Sequence, residues 1–192
     1  MKKSIKIATL GVAALGFAAM PVLGASAADT ITPITDTVTV TIDSACSLSG
    51  TGATPSAPMT NNQLKSDLAG SELTIKCNDV SGWHLSAIGA GTGTAKTSMD
   101  ATGSGTDIAT GTATSGATSN WAFKVAGDKA VEGYKSFMAI PGEATDVASD
   151  VDGSIGQTGT TITSTYQVWI SDTQQADTYT GKVTYTLAHP KI

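Results

Sequence analysis

The chain has 192 residues, 11 lysines and no arginine, 16 acids and a net charge of −5. An acidic chain without arginine is a poor partner for nucleic acid or anionic lipid, since phosphate contacts need Lys and Arg. Two cysteines are too few for a disulfide-dense miniprotein or a structural zinc site.

In chain order, the first element is a leader. Lys2, Lys3 and Lys6 precede an apolar run from Ile7 to Val22, and Ala25-Ser26-Ala27 has the small-residue cleavage pattern of a secretory signal peptide. The expected division is therefore a signal peptide over 1–27 and one domain over 28–192. The run is short for a spanning helix, so no transmembrane anchor is expected after cleavage, and no cysteine stands near the cleavage site to take a lipid. The leader takes three of the eleven lysines, leaving eight against sixteen acids, a net −8.

The remainder is dominated by Thr, Gly, Ser and Ala, with strand signals at intervals. Polar and apolar residues alternate in Thr37–Ile42, Leu73–Cys77, Trp83–Ala87, Tyr166–Ile170 and Lys182–Leu187, the pattern of half-buried strands. Turn-forming residues separate them at Asn78–Gly82, Ser171–Thr173 and Thr180-Gly181. One short helix is expected, around Asn62–Leu68 or around Lys129–Phe137. Residues 89–120 and 141–160 read as long Gly/Thr-rich loops or weak edge strands. The predicted fold is all-β, an antiparallel immunoglobulin-like β-sandwich with long Gly/Thr-rich loops. Cys46 and Cys77, a lone pair in an exported chain, are expected to form a disulfide between early strands.

Chemistry-bearing residues are sparse. His84 lies mid-strand between Trp83 and Leu85 in sequence and is expected to face solvent; His189 stands near the C-terminus. Neither has a neighbouring nucleophile, and the carboxylates scatter through loops, so no enzyme and no cofactor are expected. The best metal candidate is calcium at Asp146, Asp150 and Asp152, three carboxylates before Gly153, although the full loop pattern is missing.

Two resemblances follow. Leu73–Ala87, with the Asp79-Val80-Ser81-Gly82 turn leading into Trp83-His84-Leu85, resembles the first signature of the WxL surface domain. Tyr179–Leu187 is similar to its second, with Tyr185 where that family usually has Trp. This resemblance implies a β-rich module attached non-covalently to the wall of Gram-positive bacteria, with Gly82, Trp83, Leu85, Tyr185 and Leu187 as a wall-binding or core motif. The replaced Trp and the added cysteine pair depart from the pattern. The cysteine positions, and the final Thr/Tyr/Val strand, also resemble the spore coat protein U family of pilin subunits. That resemblance implies polymerisation by strand donation, here by Thr30–Ile42 with Pro33 at a strand end.

Together these readings predict an extracellular, cell-surface structural or adhesive module. Its partners would be a cell-wall polymer or other surface proteins, with possible self-association. The alternatives are a pilus subunit and a small secreted carbohydrate-active protein. The last residues form no hydrophobic tail, so retention on the cell is expected to be non-covalent or through polymerisation.

Overall fold

The computed structural model describes residues 39–42, 44–92, 95–112, 115–151 and 159–189. The described chain is all-β, as expected. Its strands are β1 (Cys46–Thr51), β2 (Gln63–Cys77), β3 (Trp83–Gly89), β4 (Asp100–Ala101), β5 (Ala109–Thr110) and β6 (Asn120–Ala126). They continue with β7 (Met138–Ala139), β8 (Thr145–Asp150), β9 (Thr160–Ile170), β10 (Tyr179–Thr180) and β11 (Val183–Ala188). A single 3-10 turn at Glu132–Tyr134 is all the helix that the second expected helical segment forms, and Gln63–Leu68 of the first lies in β2. Both corrections have one cause. In the first segment Leu64 and Leu68 lie in the β2–β9 ladder; in the second Ala130 bridges to Ala148, while Tyr134 and Phe137 pack on the cores, so long-range contacts override local helix preference.

The larger sheet runs β1-β2-β9-β6-β5, with β7 also on β6; the smaller runs β11-β3-β8; β4 and β10 form a short ribbon. All pairs are antiparallel except β5 with β6. The sheets are curled and partly open. β2 shifts register against β9 between Lys65 and Leu68 and again between Ala69 and Glu72. Such bulges bend a strand and increase its twist.

One buried apolar cluster draws from both sheets. The larger contributes Leu73, Ile75, Trp121, Phe123, Val125 and Ile162, and the smaller contributes Trp83, Leu85, Ala87, Val147 and Ala148. Across it the Tyr166 hydroxyl of β9 lies 3.3 Å from the Tyr185 hydroxyl of β11. Burial pushes both phenols above their ordinary value of 10, and their proximity adds to the effect at Tyr185. Folding therefore favours the neutral phenols. This stabilisation is complete below pH 10 and declines as pH rises past it, so absorbance at 295 nm should show these two groups ionising together with alkaline unfolding.

β6 was not among the predicted strands, yet Trp121, Phe123 and Val125 repeat at a spacing of two and form part of the core. β8 was hidden in the same way inside a stretch read as loop. Of the predicted first strand, Thr37 and Val38 lie outside the described residues, and residues 39–42 form no strand. Val40 and Ile42 are 77% and 81% exposed.

The disulfide joins Cys46 to Cys77, which face each other in the β1–β2 register. The next pair outward is closed by the Asn78 amide donating to the Ala45 carbonyl at 3.0 Å. Its placement leaves the bridged pair at a non-hydrogen-bonded site, where facing residues come closest.

Candidate functional site

The predicted motif residues are core. Trp83 and Leu85 are 3% and 0% exposed, and Tyr185 and Leu187 are half-buried against the same cluster. Gly82 takes φ +83°, and a Cβ there would overlap the Asp150 carbonyl oxygen. The Asp-x-x-Gly turn before Trp83 is thus set by backbone packing between β3 and β8. Asp79 accepts from the Ser81 amide and the Ser44 hydroxyl, both at 2.8 Å. Its own carbonyl accepts from the Gly82 amide at 3.1 Å, which closes the turn.

Both histidines meet carboxylates. His84 faces outward, as expected, with Nδ1 3.0 Å from Asp146 Oδ2. His189 is brought back to the buried Asp79, with Nδ1 3.2 Å from Oδ2, the oxygen that also accepts from Ser44. Nothing in the local sequence announced this pairing, because it depends on β11 running beside β3. An acyl-transfer triad places the imidazole between the hydroxyl and the carboxylate. Here the carboxylate is in the middle, so the cluster ties the end of β11 to the β2–β3 turn.

The calcium candidates are not assembled into one site among the described residues. Asp146 pairs with His84 on the outside, whereas the buried Asp150 lies 3.2 Å from Lys129. Four residues of extended strand separate the two carboxylates by about 13 Å, and Asp152 lies outside the described residues.

A different group of loops builds the concave surface. Beyond Leu73 and Ile162, the larger sheet continues to Leu68, Val168 and Ile170, and three segments border it: the 52–60 segment, the 99–108 hairpin and the 171–179 loop. Between them lies a cleft of about 580 Å³, with Leu68, Met99, Ile108, Val168 and Ile170 among its lining. On the other side of Gln174-Gln175 a second recess of about 290 Å³ is lined by Thr106, Asp107, Thr118, Ser119, Ser171 and Thr173, among others.

Carboxylates hold these loops. Asp177 accepts from the Thr178 amide at 2.7 Å, from Thr102 Oγ1 at 3.0 Å and from the Gly103 and Gly105 amides at 3.0 Å. Asp100 Oδ2 accepts from the Thr92 amide at 2.7 Å and its hydroxyl at 2.9 Å. Asp107 Oδ1 accepts from the Ala101 amide at 2.9 Å. These bonds order much of the Gly/Thr-rich stretch that sequence left as loop or weak edge. The Gln174 amide nitrogen donates to the Thr106 carbonyl at 2.7 Å and to Tyr179 Oη at 2.8 Å, and Tyr179 donates to the Gln175 carbonyl at 2.7 Å. The ridge between the recesses is therefore fixed. No sequence signal marked Gln174 or Gln175, since neither residue belongs to a motif and only the folded loop gives them neighbours.

The donors around Asp177, chiefly the Gly105 and Thr178 amides, and those around Asp79, chiefly the Ser81 amide and Ser44 hydroxyl, hold both carboxyls below the usual carboxylate value. A lowered folded pKa stabilises the fold above about pH 4, and that stabilisation disappears as pH falls through the folded values. Melting temperature measured from pH 7 to pH 2 should therefore fall at the acid end. A Asp79→Asn/Asp177→Asn double variant should melt lower at neutral pH and show a flatter acid limb.

Compared with known proteins, the chain matches no family model, no curated protein and no solved structure.

Proposed function

We propose that this chain is an exported cell-surface module that acts by binding and associates non-covalently with the bacterial cell wall. The observation that carries this reading is the double recess around Gln174-Gln175, an apolar-floored cleft beside a hydroxyl-lined one, held open by internally bonded loops. Pockets of this size, with a few fixed polar groups, suit ligand recognition. The disulfide supports folding outside the cytoplasm, where thiols oxidise. The fold we read for it is the immunoglobulin-like sandwich, supported by an apolar cluster drawn from two sheets. Because Trp83 and Leu85 are buried in that cluster, wall contact is assigned to the loops rather than to these two side chains. The test is co-sedimentation of the purified protein with washed cell walls. Saturable pelleting is expected, and protein that stays in the supernatant at every wall concentration overturns the reading.

A second reading, a pilus subunit assembled by strand donation, is favoured by one feature. Val40 and Ile42 project from an unpaired stretch, while β1 and β11 each pair on one side only among the described strands. Neither edge strand contains a charge or a proline, the usual guards against strand addition. Size-exclusion chromatography with light scattering separates the readings. A monomer fits the wall-binding module; a ladder of oligomers lost on deleting residues 28–43 fits the pilin.

A further inference from the structure

The chemistry of the double recess restricts its ligand. Among the described residues no lysine or histidine lines either recess, so none there offers a cation to a phosphate or carboxylate group. The smaller recess presents hydroxyls from Thr106, Thr118 and Thr173 together with the exposed Asp107 and Gln175. Asp107 lines this recess; its Oδ1 accepts from the Ala101 amide, and a carboxylate has further acceptor capacity for hydroxyl protons. Gln175 offers both a donor and an acceptor. Across the ridge, the larger cleft offers apolar surface from the half-buried Met59, Leu68 and Met99, with Tyr179 also in its lining.

A ligand matching both sides carries several hydroxyl groups, no negative charge and an apolar face or methyl group within one ring's reach. Uncharged sugars have that combination, with hydroxyls around the ring edge and C–H groups on its faces. Resting on the wall-binding reading above, we propose that the recess around Gln174-Gln175 is a subsite for an uncharged oligosaccharide, with Asp107 and Gln175 as its polar contacts and the half-buried Met59, Leu68 and Met99 of the larger cleft taking the ring face or an N-acetyl methyl. The ridge is already fixed by Gln174 and Tyr179, so little ordering is needed on binding.

The test is a two-dimensional NMR titration of the purified protein with the tetramer of N-acetylglucosamine, with cellotetraose and, as a cationic control, with tetralysine. Saturable shifts confined to residues 55–59, 68, 99, 106–109, 117–119 and 168–179 are expected with one of the sugars. Asp107→Asn keeps an oxygen for the Ala101 amide but loses the charge on the acceptor, and together with Gln175→Ala it should weaken sugar binding about tenfold or more. Unchanged melting of both variants keeps the result interpretable. If the sugars give no shifts, or shifts elsewhere that both variants leave intact, the subsite is wrong. A response to tetralysine alone would make the recess a cation site and also overturn the proposal. Cell-wall pelleting of the double variant separates the two levels: undiminished pelleting without a sugar response removes the subsite and leaves the wall-binding reading standing.

Discussion

Removing the Cys46–Cys77 bridge, as a Cys46→Ala/Cys77→Ala pair, is expected to destabilise the protein by ~3–4 kcal/mol. The two residues are 31 apart in sequence, and opening that loop returns conformational freedom to the unfolded chain. The bridge lies at the end of β1, whose strand partner is β2 alone among the described strands. β1 buries little of its own surface: Cys46 and Leu48 are half-buried and the other four residues are exposed. Without the bridge, β1 should therefore open before the rest of the sheet. Chemical denaturation of the oxidised and cysteine-free proteins measures the total, and hydrogen exchange locates the loss. Protection should fall first across Cys46–Thr51 and the facing Glu72–Cys77. Equal stability of the two proteins would mean that β1 is held by its ladder alone.

The second large effect is expected at Gly82. With φ at +83°, an L-residue is strained, and a Cβ would also run into the Asp150 carbonyl of the neighbouring strand. Gly82→Ala should cost about 3 kcal/mol or more, by adding backbone strain to a forced separation of β3 and β8. Since Trp83 follows directly and is buried, the disturbance should reach the core and appear as altered tryptophan fluorescence below the melting transition. By contrast, Val80→Ala in the same turn removes an exposed side chain, 76% accessible, and should change stability by less than about 0.5 kcal/mol. Thermal melts of the pair test whether the turn depends on its backbone or on its side chains.

These two sites show different kinds of legibility. The cysteines could be paired from sequence because the leader pattern implied export, and a lone cysteine pair in an exported chain has few other uses. The Asp-x-x-Gly turn was visible too, but the reason for its glycine was not, since the contact with Asp150 depends on the register of a strand hidden in an apparent loop. Trp83 and Leu85 stood out as a motif that fitted either wall contact or core. The alternation of β3 puts both on one face, and the opposing sheet buries that face.

What the sequence determined by itself is the all-β class, the disulfide and four of the longer strands, because alternation at a period of two, β-branched residues and cysteine count are local properties. It also set the acidic, arginine-free surface chemistry. Tertiary structure decided the rest. It paired β6 with the central β9, returned His189 to Asp79, separated Asp146 from Asp150, and folded the Gly/Thr-rich segments around Asp100, Asp107 and Asp177. The physical reason is common to all of these. Each depends on contacts between residues distant in the chain, and a carboxylate capping loop amides or a glutamine bridging two recesses has no periodicity for a one-dimensional pattern to reveal.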